Sequence, residues 1–209
     1  MESEEQVLVI PANRAKVFTK NAGLSFFSMT KLDPILFAKT FLPRSVAESD
    51  PNYLQIIPYV VFFYRPPDGS GVNVFSYCRG AKGGEGRLHS KRSIGIGGHI
   101  NESDTKPVYI CPFDTGMQRE IHEEVSVGEY NGKSVFGTIY DPSNEVGRVH
   151  LGVLGLMELH RPSIEPKDPS IVDSRLEPIS KIVSEIDLYE TWSQMVIEGL
   201  FKDIRKWML

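Results

Sequence analysis

The residues best suited to do chemistry lie in one nonamer, Met117-Gln118-Arg119-Glu120-Ile121-His122-Glu123-Glu124-Val125. A helix turns about 100° per residue, so Glu120, Glu123 and Glu124 would share one arc and Met117, Ile121 and Val125 the adjoining, core-facing arc. Carboxylates at i, i+3 and i+4 repel one another, each like-charge pair costing an isolated helix a few tenths of a kcal/mol. A divalent cation turns that repulsion into ligation, and hard oxygen donors suit Mg²⁺ or Mn²⁺. The same pattern also fits a solvated acidic face near a helix N-terminus.

Upstream, Ser93-Ile94-Gly95-Ile96-Gly97-Gly98-His99-Ile100 places three glycines in a strand-like context. Glycine weakens a strand unless backbone must approach something closely, or a bulge or tight turn intervenes. No Gly-Lys-Ser/Thr follows, so this is not a phosphate loop of the Walker type.

Elements must position these residues. Gln6–Ile10 reads as a strand stopped by Pro11. Asp33-Pro34 reads as the start of a helix running to Pro43, with proline at its first position. Ile56–Tyr64 and Val72–Arg79 read as a hairpin of apolar strands around Pro66-Pro67-Asp68-Gly69. A polar Gly-rich loop, Gly80–Gly86, follows, then the glycine strand and an irregular segment over 101–114. The acidic helix is expected from about Gly116 to Val127, capped by Asp114 or Thr115. Strands are expected at Ser134–Tyr140 and Val149–Leu159, mostly loop across the four prolines of 161–178, and helices from Ile179 to about Trp207. Strands and helices mix without regular alternation, which predicts a mixed sheet packed between helices.

Composition bounds the function. The 209 residues hold 41% hydrophobic and 24% charged residues with a formal charge of -4, which excludes collagenous, coiled-coil and wholly disordered classes. No global basic field exists to attract long nucleic acid. Cys78 and Cys111 do not make a disulfide scaffold, and the acidic Met1-Glu2-Ser3-Glu4-Glu5 is the reverse of a signal-peptide start. No apolar run approaches the roughly 20 residues of a spanning helix. The expectation is a cytoplasmic protein with a small-molecule ligand and no membrane association; a homodimer is compatible.

Together the glycine strand and the acidic helix resemble the signature of the Nudix hydrolases, which in words is Gly, five residues, Glu, seven residues, then Arg-Glu-apolar-x-Glu-Glu-x-Gly-apolar. Gly98 is the first Gly, Arg119, Glu120, Ile121, Glu123 and Glu124 match the core, and Val127 the last apolar position. Asp104 stands where the first Glu belongs, and Ser126 replaces the second Gly. Fourteen residues instead of seven separate Asp104 from Arg119. The Gly-Gly-His-Ile form and the stretch Asp141–Gly152 resemble a bacterial subgroup known only as predicted phosphoesterases. The resemblance implies an α/β fold, the family's α/β/α sandwich with a mixed β-sheet between helices. It spans one domain over 1–209: an N-terminal extension at 1–52, a core at 53–160 with the signature at 98–127, and C-terminal helices at 179–207.

The resemblance also implies roles. Glu120, Glu123 and Glu124 would hold Mg²⁺ or Mn²⁺, with the Gly97 carbonyl as a further ligand. Arg119 would fix a carboxylate rotamer, with Asp104 as its partner if the inserted loop brings it back. Glu120 or Glu123 could take a proton from the attacking water. The activity implied is a pyrophosphohydrolase cleaving a nucleotide-like diphosphate; the alternative is an inactive nucleotide-binding or regulatory module on the same fold. The excess of seven residues, about Thr105–Cys111, would form a lip that shapes substrate choice.

Outside the signature, Arg79, Lys82, Arg87, His89, Lys91 and Arg92 form a local basic cluster that could clamp a diphosphate or be a solvated loop. Arg79, Arg92 and His99 are the substrate-binding candidates, although a backbone-bonded structural role suits His99 better. His150, in an apolar strand, fits a satisfied core histidine. Glu145 and Glu190 are candidates for an extra carboxylate. Tyr64, Phe75, Tyr77 and Tyr140 could stack on a base or fill the core, and Trp192 and Trp207 fit packed helix faces.

Overall fold

A computed structural model describes residues 4–80, 91–106 and 110–201. The elements, in chain order, are β1 (Gln6–Pro11), α1 (Ala12–Ala15), β2 (Gly23–Phe26), α2 (Met29–Leu36), β3 (Thr40–Pro43), α3 (Arg44–Ala47), β4 (Tyr53–Tyr64), β5 (Asn73–Arg79), β6 (Arg92–Ser93) and β7 (Gly95–Ile96). After a 3₁₀ turn at Glu102–Thr105 come α4 (Pro112–Glu124), β8 (Val125–Val127), β9 (Tyr130–Tyr140), α5 (Glu145–Arg148), β10 (His150–Leu159), β11 (Ile164–Pro166) and β12 (Ile171–Pro178). The chain ends in α6 (Ile179–Ser184), a 3₁₀ turn at Ile186–Leu188, and α7 (Thr191–Val196), which continues as a π turn at Ile197–Phe201. No helix among the described residues is long and apolar enough to cross a membrane.

The chain divides into two compact units. The first is Met1–Tyr59, Gly97–Glu120 and Val135–Leu154, and the second is Val60–Ile96, Ile121–Ser134 and Gly155–Leu209. In the first, β1 lies antiparallel between β3 (Val7↔Leu42) and the start of β4 (Val9↔Gln55). Val7, Val9 and Ala47 are sealed there beneath Leu42 and Tyr53. The end of β9 pairs antiparallel with β2, Gly23↔Tyr140 through Phe26↔Gly137. In the second unit β4 and β5 close the expected hairpin (Phe63↔Val74), β12 lines β5, and β8 pairs with β11.

In hydrogen-bonded order the strands read β12-β5-β4-β10-β9-β2. Gln55 N donates to Val149 O at 2.8 Å, and Gly155 lies against Val60. Those partners advance together along both strands, so β4 and β10 are parallel, while β12–β5, β5–β4 and β9–β2 are antiparallel. The sheet is therefore mixed, as the sequence predicts, and the fold class is α/β.

Several element boundaries differ from expectation. α2 starts at Met29 and carries Pro34 inside it, because Leu32, Ile35 and Leu36 form its buried face; the residues toward Pro43 form β3 instead. α4 starts at Pro112, a first-turn position where proline's missing N–H costs nothing. It ends at Glu124, where the next three residues pair with β11. The proline-rich 161–178 segment holds two strands, whose terminal residues are Pro166 and Pro178; at such ends no ladder donor is lost. The glycine strand is two short pieces ending at Ile96. Trp207, Lys82, Arg87 and His89 lie outside the described residues.

Candidate functional site

α4 is positioned by its apolar stripe. Phe113, Met117 and Ile121 are buried, with Val125 continuing the stripe just beyond the helix. This is the core-facing arc expected from the sequence, extended one turn back. The Cys111 carbonyl accepts the amides of Asp114 and Thr115 at the start. At the end, the amides of Lys167 and Asp168 bond the Glu124 carbonyl at 2.8 and 3.2 Å, satisfying a carbonyl that the helix leaves without an internal partner.

Arg119 is the hub of the first unit's polar cluster. Its Nε donates to Asp104 Oδ1 and its Nη2 to Asp104 Oδ2, both at 3.0 Å, a two-pronged pair. Nη1 donates to Glu120 Oε1 at 2.8 Å, and Nη2 also donates to the His99 carbonyl at 2.8 Å. Asp104 is buried and accepts the Asn101 amide through Oδ2 at 2.8 Å. The Asp104 carboxylate, more than any other neighbour, raises the Arg119 pKa above its ordinary range, so the guanidinium is charged at every accessible pH. Asp104 is thus the arginine's partner, as the resemblance implies, despite being shorter than Glu and separated by the longer loop.

The glycines have separate physical reasons. A Cβ on Gly97 would lie 1.8 Å from the Pro58 carbonyl oxygen, and its φ of +154° is one that L side chains rarely adopt. A Cβ on Gly98 would lie 2.6 Å from Glu120 Oε2. Gly116 in α4 faces Asp104 Oδ2 at 2.9 Å in the same sense, so the helix can approach the Asp104 carboxylate. Close backbone approach, the first of the readings open at the sequence level, is what Gly97 and Gly98 provide.

His99 points its ring away from this chemistry. Its Nε2 bonds Gln55 Oε1 at 2.9 Å, and its ring centroid lies 5.7 Å from that of His150. Burial, assisted by the charges of Arg44 and His150, pulls the His99 pKa down to about 4, so the ring is neutral. His150 is buried with Nδ1 donating to the Val146 carbonyl at 2.7 Å, a satisfied core histidine. Gln55, which sequence reasoning missed, is fully buried. Its only signal is an amide inside the apolar run Tyr53–Tyr64.

The second unit has its own arginine cluster. Arg92 is buried and donates to Ser76 Oγ through Nε and Nη2 (2.9 and 2.7 Å) and to Asp173 Oδ2 through Nη1 (2.7 Å). Glu177 lies 3.6 Å from it. Its guanidinium is engaged by protein groups, so a phosphate-clamping role is not what these contacts serve. Arg79 is half-buried with its guanidinium 5.9 Å above the Tyr77 ring. Glu190 is not a spare carboxylate: it caps α7, accepting the amides of Trp192 and Ser193 at 2.8 Å. Phe75 and Tyr77 are core; Tyr64, Tyr140 and Trp192 are half-buried, and Glu145 is exposed. Cys78 and Cys111 are free thiols.

Among the described residues no three His, Cys, Asp or Glu side chains converge as a ready metal-ligand group. What α4 offers is a row of carboxylates: Glu120 half-buried against Gly98, Glu123 exposed and Glu124 half-buried. Carboxylate oxygens are hard donors, which fit Mg²⁺ or Mn²⁺ in kind.

The sequence matches no family model. It is 34% identical over 211 residues to Protein YmaB of Bacillus subtilis (strain 168), covering 94% of this chain and 98% of that protein. Among solved structures, Tm1382, a candidate Nudix hydrolase, superposes with a TM-score of 0.76 at 26% identity over 95% of this chain and 99% of that one. The NUDIX domain of Shewanella oneidensis NrtR, solved with ADP ribose, shares the fold with a TM-score of 0.54 at 12% identity, covering 75% and 89% of the two chains.

Proposed function

The chain belongs to the Nudix family, and we propose that it is a Mg²⁺- or Mn²⁺-dependent pyrophosphohydrolase acting on a nucleotide-like diphosphate. The observation that carries this reading is the Glu120 carboxylate, seated on Gly98 and held by an Arg119 that Asp104 grips with both oxygens. Such an arrangement fixes one carboxylate rotamer at the head of a helical arc that continues with Glu123 and Glu124.

In the proposed mechanism Glu120, Glu123 and Glu124 would supply the oxygen ligands from one helix, and the Gly97 carbonyl would add another. A bound divalent ion would polarise the diphosphate and lower the pKa of a water molecule. Arg119 keeps Glu120 oriented, and Glu120 or Glu123 accepts the proton of the attacking water. Arg79 remains a candidate contact for the phosphates, its guanidinium being only half-buried. The substrate class follows from the family; ADP-ribose, held by the Shewanella oneidensis domain, is one member of it to test.

A panel of nucleoside triphosphates, ADP-ribose, dinucleoside polyphosphates and nucleotide sugars, assayed with and without Mg²⁺, tests the reading. Cleavage of at least one compound, dependent on the cation and lost in Glu120→Gln and Glu123→Gln, is expected. Tight binding of a panel member without turnover would favour the regulatory-module reading instead.

A further inference from the structure

We propose that Gln55, a residue of β4 outside the signature, is a positioning residue for the cation site: through His99 it holds the Gly97–His99 backbone on which Glu120 and Arg119 rest. This rests on the hydrolase reading above and names a new member of the same site.

The Gly97–His99 segment has four fastenings within the first unit. Toward β4, the Pro58 carbonyl leaves no space at Gly97, and the Gln55 amide oxygen accepts the His99 Nε2–H at 2.9 Å. Toward α4, the His99 carbonyl accepts Arg119 Nη2 at 2.8 Å, and Gly98 abuts the Glu120 carboxylate. A shift of this segment therefore moves the Gly97 carbonyl, Glu120 and the arginine that orients Glu120 together.

Gln55 itself has little freedom. Its amide donates to Val149 O and its Cα is in register with Val9, so neighbouring strands fix it on both sides. It has no accessible surface, and its Nε2 has no hydrogen-bond partner among the described residues. An apolar side chain of equal size would remove that unmet donor but would leave the His99 Nε2–H without its acceptor. The amide is retained with one unmet donor, and the contact it does make is to His99. One side-chain hydrogen bond thus links β4 to the glycine turn.

The test uses the full-length, metal-free protein and three readouts: Mn²⁺ affinity by titration, thermal midpoint, and the split between turnover and substrate affinity. Gln55→Met, which leaves the His99 ring nitrogen without its acceptor, should lower the thermal midpoint by only a few degrees while weakening Mn²⁺ binding about tenfold to a hundredfold, the range for groups that orient metal ligands. Gln55→Asn, which withdraws the oxygen by one methylene, serves if Gln55→Met does not fold. The double variant Gln55→Met/His99→Phe should bind Mn²⁺ no more weakly than His99→Phe alone. Parent-like Mn²⁺ affinity in Gln55→Met, or losses that multiply in the double variant, overturns the proposal. If Glu123→Gln/Glu124→Gln binds Mn²⁺ like the parent, the metal-site reading has failed instead, and that result is separate.

Discussion

Two arginines each gather a polar cluster, Arg92 sealed in the interior and Arg119 part-exposed. Around Arg92, three cations (Arg92, Arg175, Lys181) face two carboxylates, Asp173 and Glu177. Around Arg119, the guanidinium pairs with Asp104 and Glu120, and Glu123 and Glu124 follow on the same helix. The first cluster closes on itself: Glu177 receives Lys181 at 2.7 Å and Arg175 at 3.1 Å, and Ser76 and Tyr189 bond each other at 3.0 Å. The second stays open to solvent: Glu120 and Glu124 are half-buried and Glu123 is exposed. A cluster sealed from water contributes to folding, whereas carboxylates that solvent reaches can also meet a ligand. That contrast suits the metal-ligand role proposed for α4.

The strongest way to break the comparison is to alter the carboxylate that Arg119 holds. Glu120→Gln keeps an oxygen for Arg119 but removes one ligand charge. Hydrolysis should fall roughly a thousandfold, about 4 kcal/mol of transition-state stabilisation. The thermal midpoint without metal should hold or rise, because a like-charge repulsion is relieved. Steady-state kinetics beside a melting curve checks both halves; a variant that unfolds and loses activity in parallel would make the Arg119 cluster structural too.

The converse substitution is Arg92→Met. Removing one partner of a buried charged network costs roughly 3 kcal/mol or more. Arg175 and Lys181 still face Glu177 and keep the loss toward the lower end of that range. Denaturant titration should show the loss, while Mn²⁺ affinity of the folded protein stays at the parental value. A tenfold drop in Mn²⁺ affinity would erase the distinction between the two clusters.

Acid should dissect them further. The His99 pKa is about 4 in the fold against an ordinary 6.5. Between those values the unfolded chain takes up a proton that the fold refuses, so stability is full above 6.5 and declines as pH falls toward 4, by roughly 3 kcal/mol in all. Asp173, bonded by Arg92, is held below the usual carboxylate range. Burial works against the same outcome at Glu177, but Lys181, Arg92 and Arg175 together bring it below as well. Carboxylates held low lose their contribution only as pH falls through their depressed values. The second unit's cluster therefore weakens at more acid pH than His99 does. Denaturation of the metal-free protein from pH 4 to 8 should show the first decline, and His99→Phe should flatten it.

Legibility from sequence followed the range of the signal. The carboxylate arc, the core stripe of Met117, Ile121 and Val125, and the Arg119–Asp104 partnership were readable, because each lies within one helix or one signature. The β4–β5 hairpin was readable from two apolar runs around a proline-glycine turn. Prolines misled in three places. Pro34 sits inside α2, Pro112 begins α4, and Pro166 and Pro178 end strands in a segment read as loop. In each, burial of neighbouring apolar residues or pairing with a distant strand decided the outcome. Gln55 was invisible because its partner lies 44 residues away. Arg92 was misjudged because its basic neighbours in sequence say nothing of the carboxylates brought to it by β12.

The smallest effect tests the finest feature of the comparison, the seat of Glu120 on Gly98. An added Cβ at Gly98 would lie 2.6 to 2.9 Å from three atoms, all of them in the Glu120 carboxyl group. That group is the far end of a flexible side chain, so it can move without displacing backbone. Replacing glycine by alanine also narrows the unfolded ensemble, worth about 0.4 to 1 kcal/mol where the backbone is compatible. Gly98→Ala should therefore leave the thermal midpoint within a few degrees of the parent. The displaced carboxylate no longer sits where Arg119 Nη1 bonds it, and Mn²⁺ affinity should fall about tenfold. Calorimetric Mn²⁺ titration of the variant decides the matter. Unchanged affinity would mean that Glu120 finds its ligating position without the glycine, and that the close approach serves packing alone.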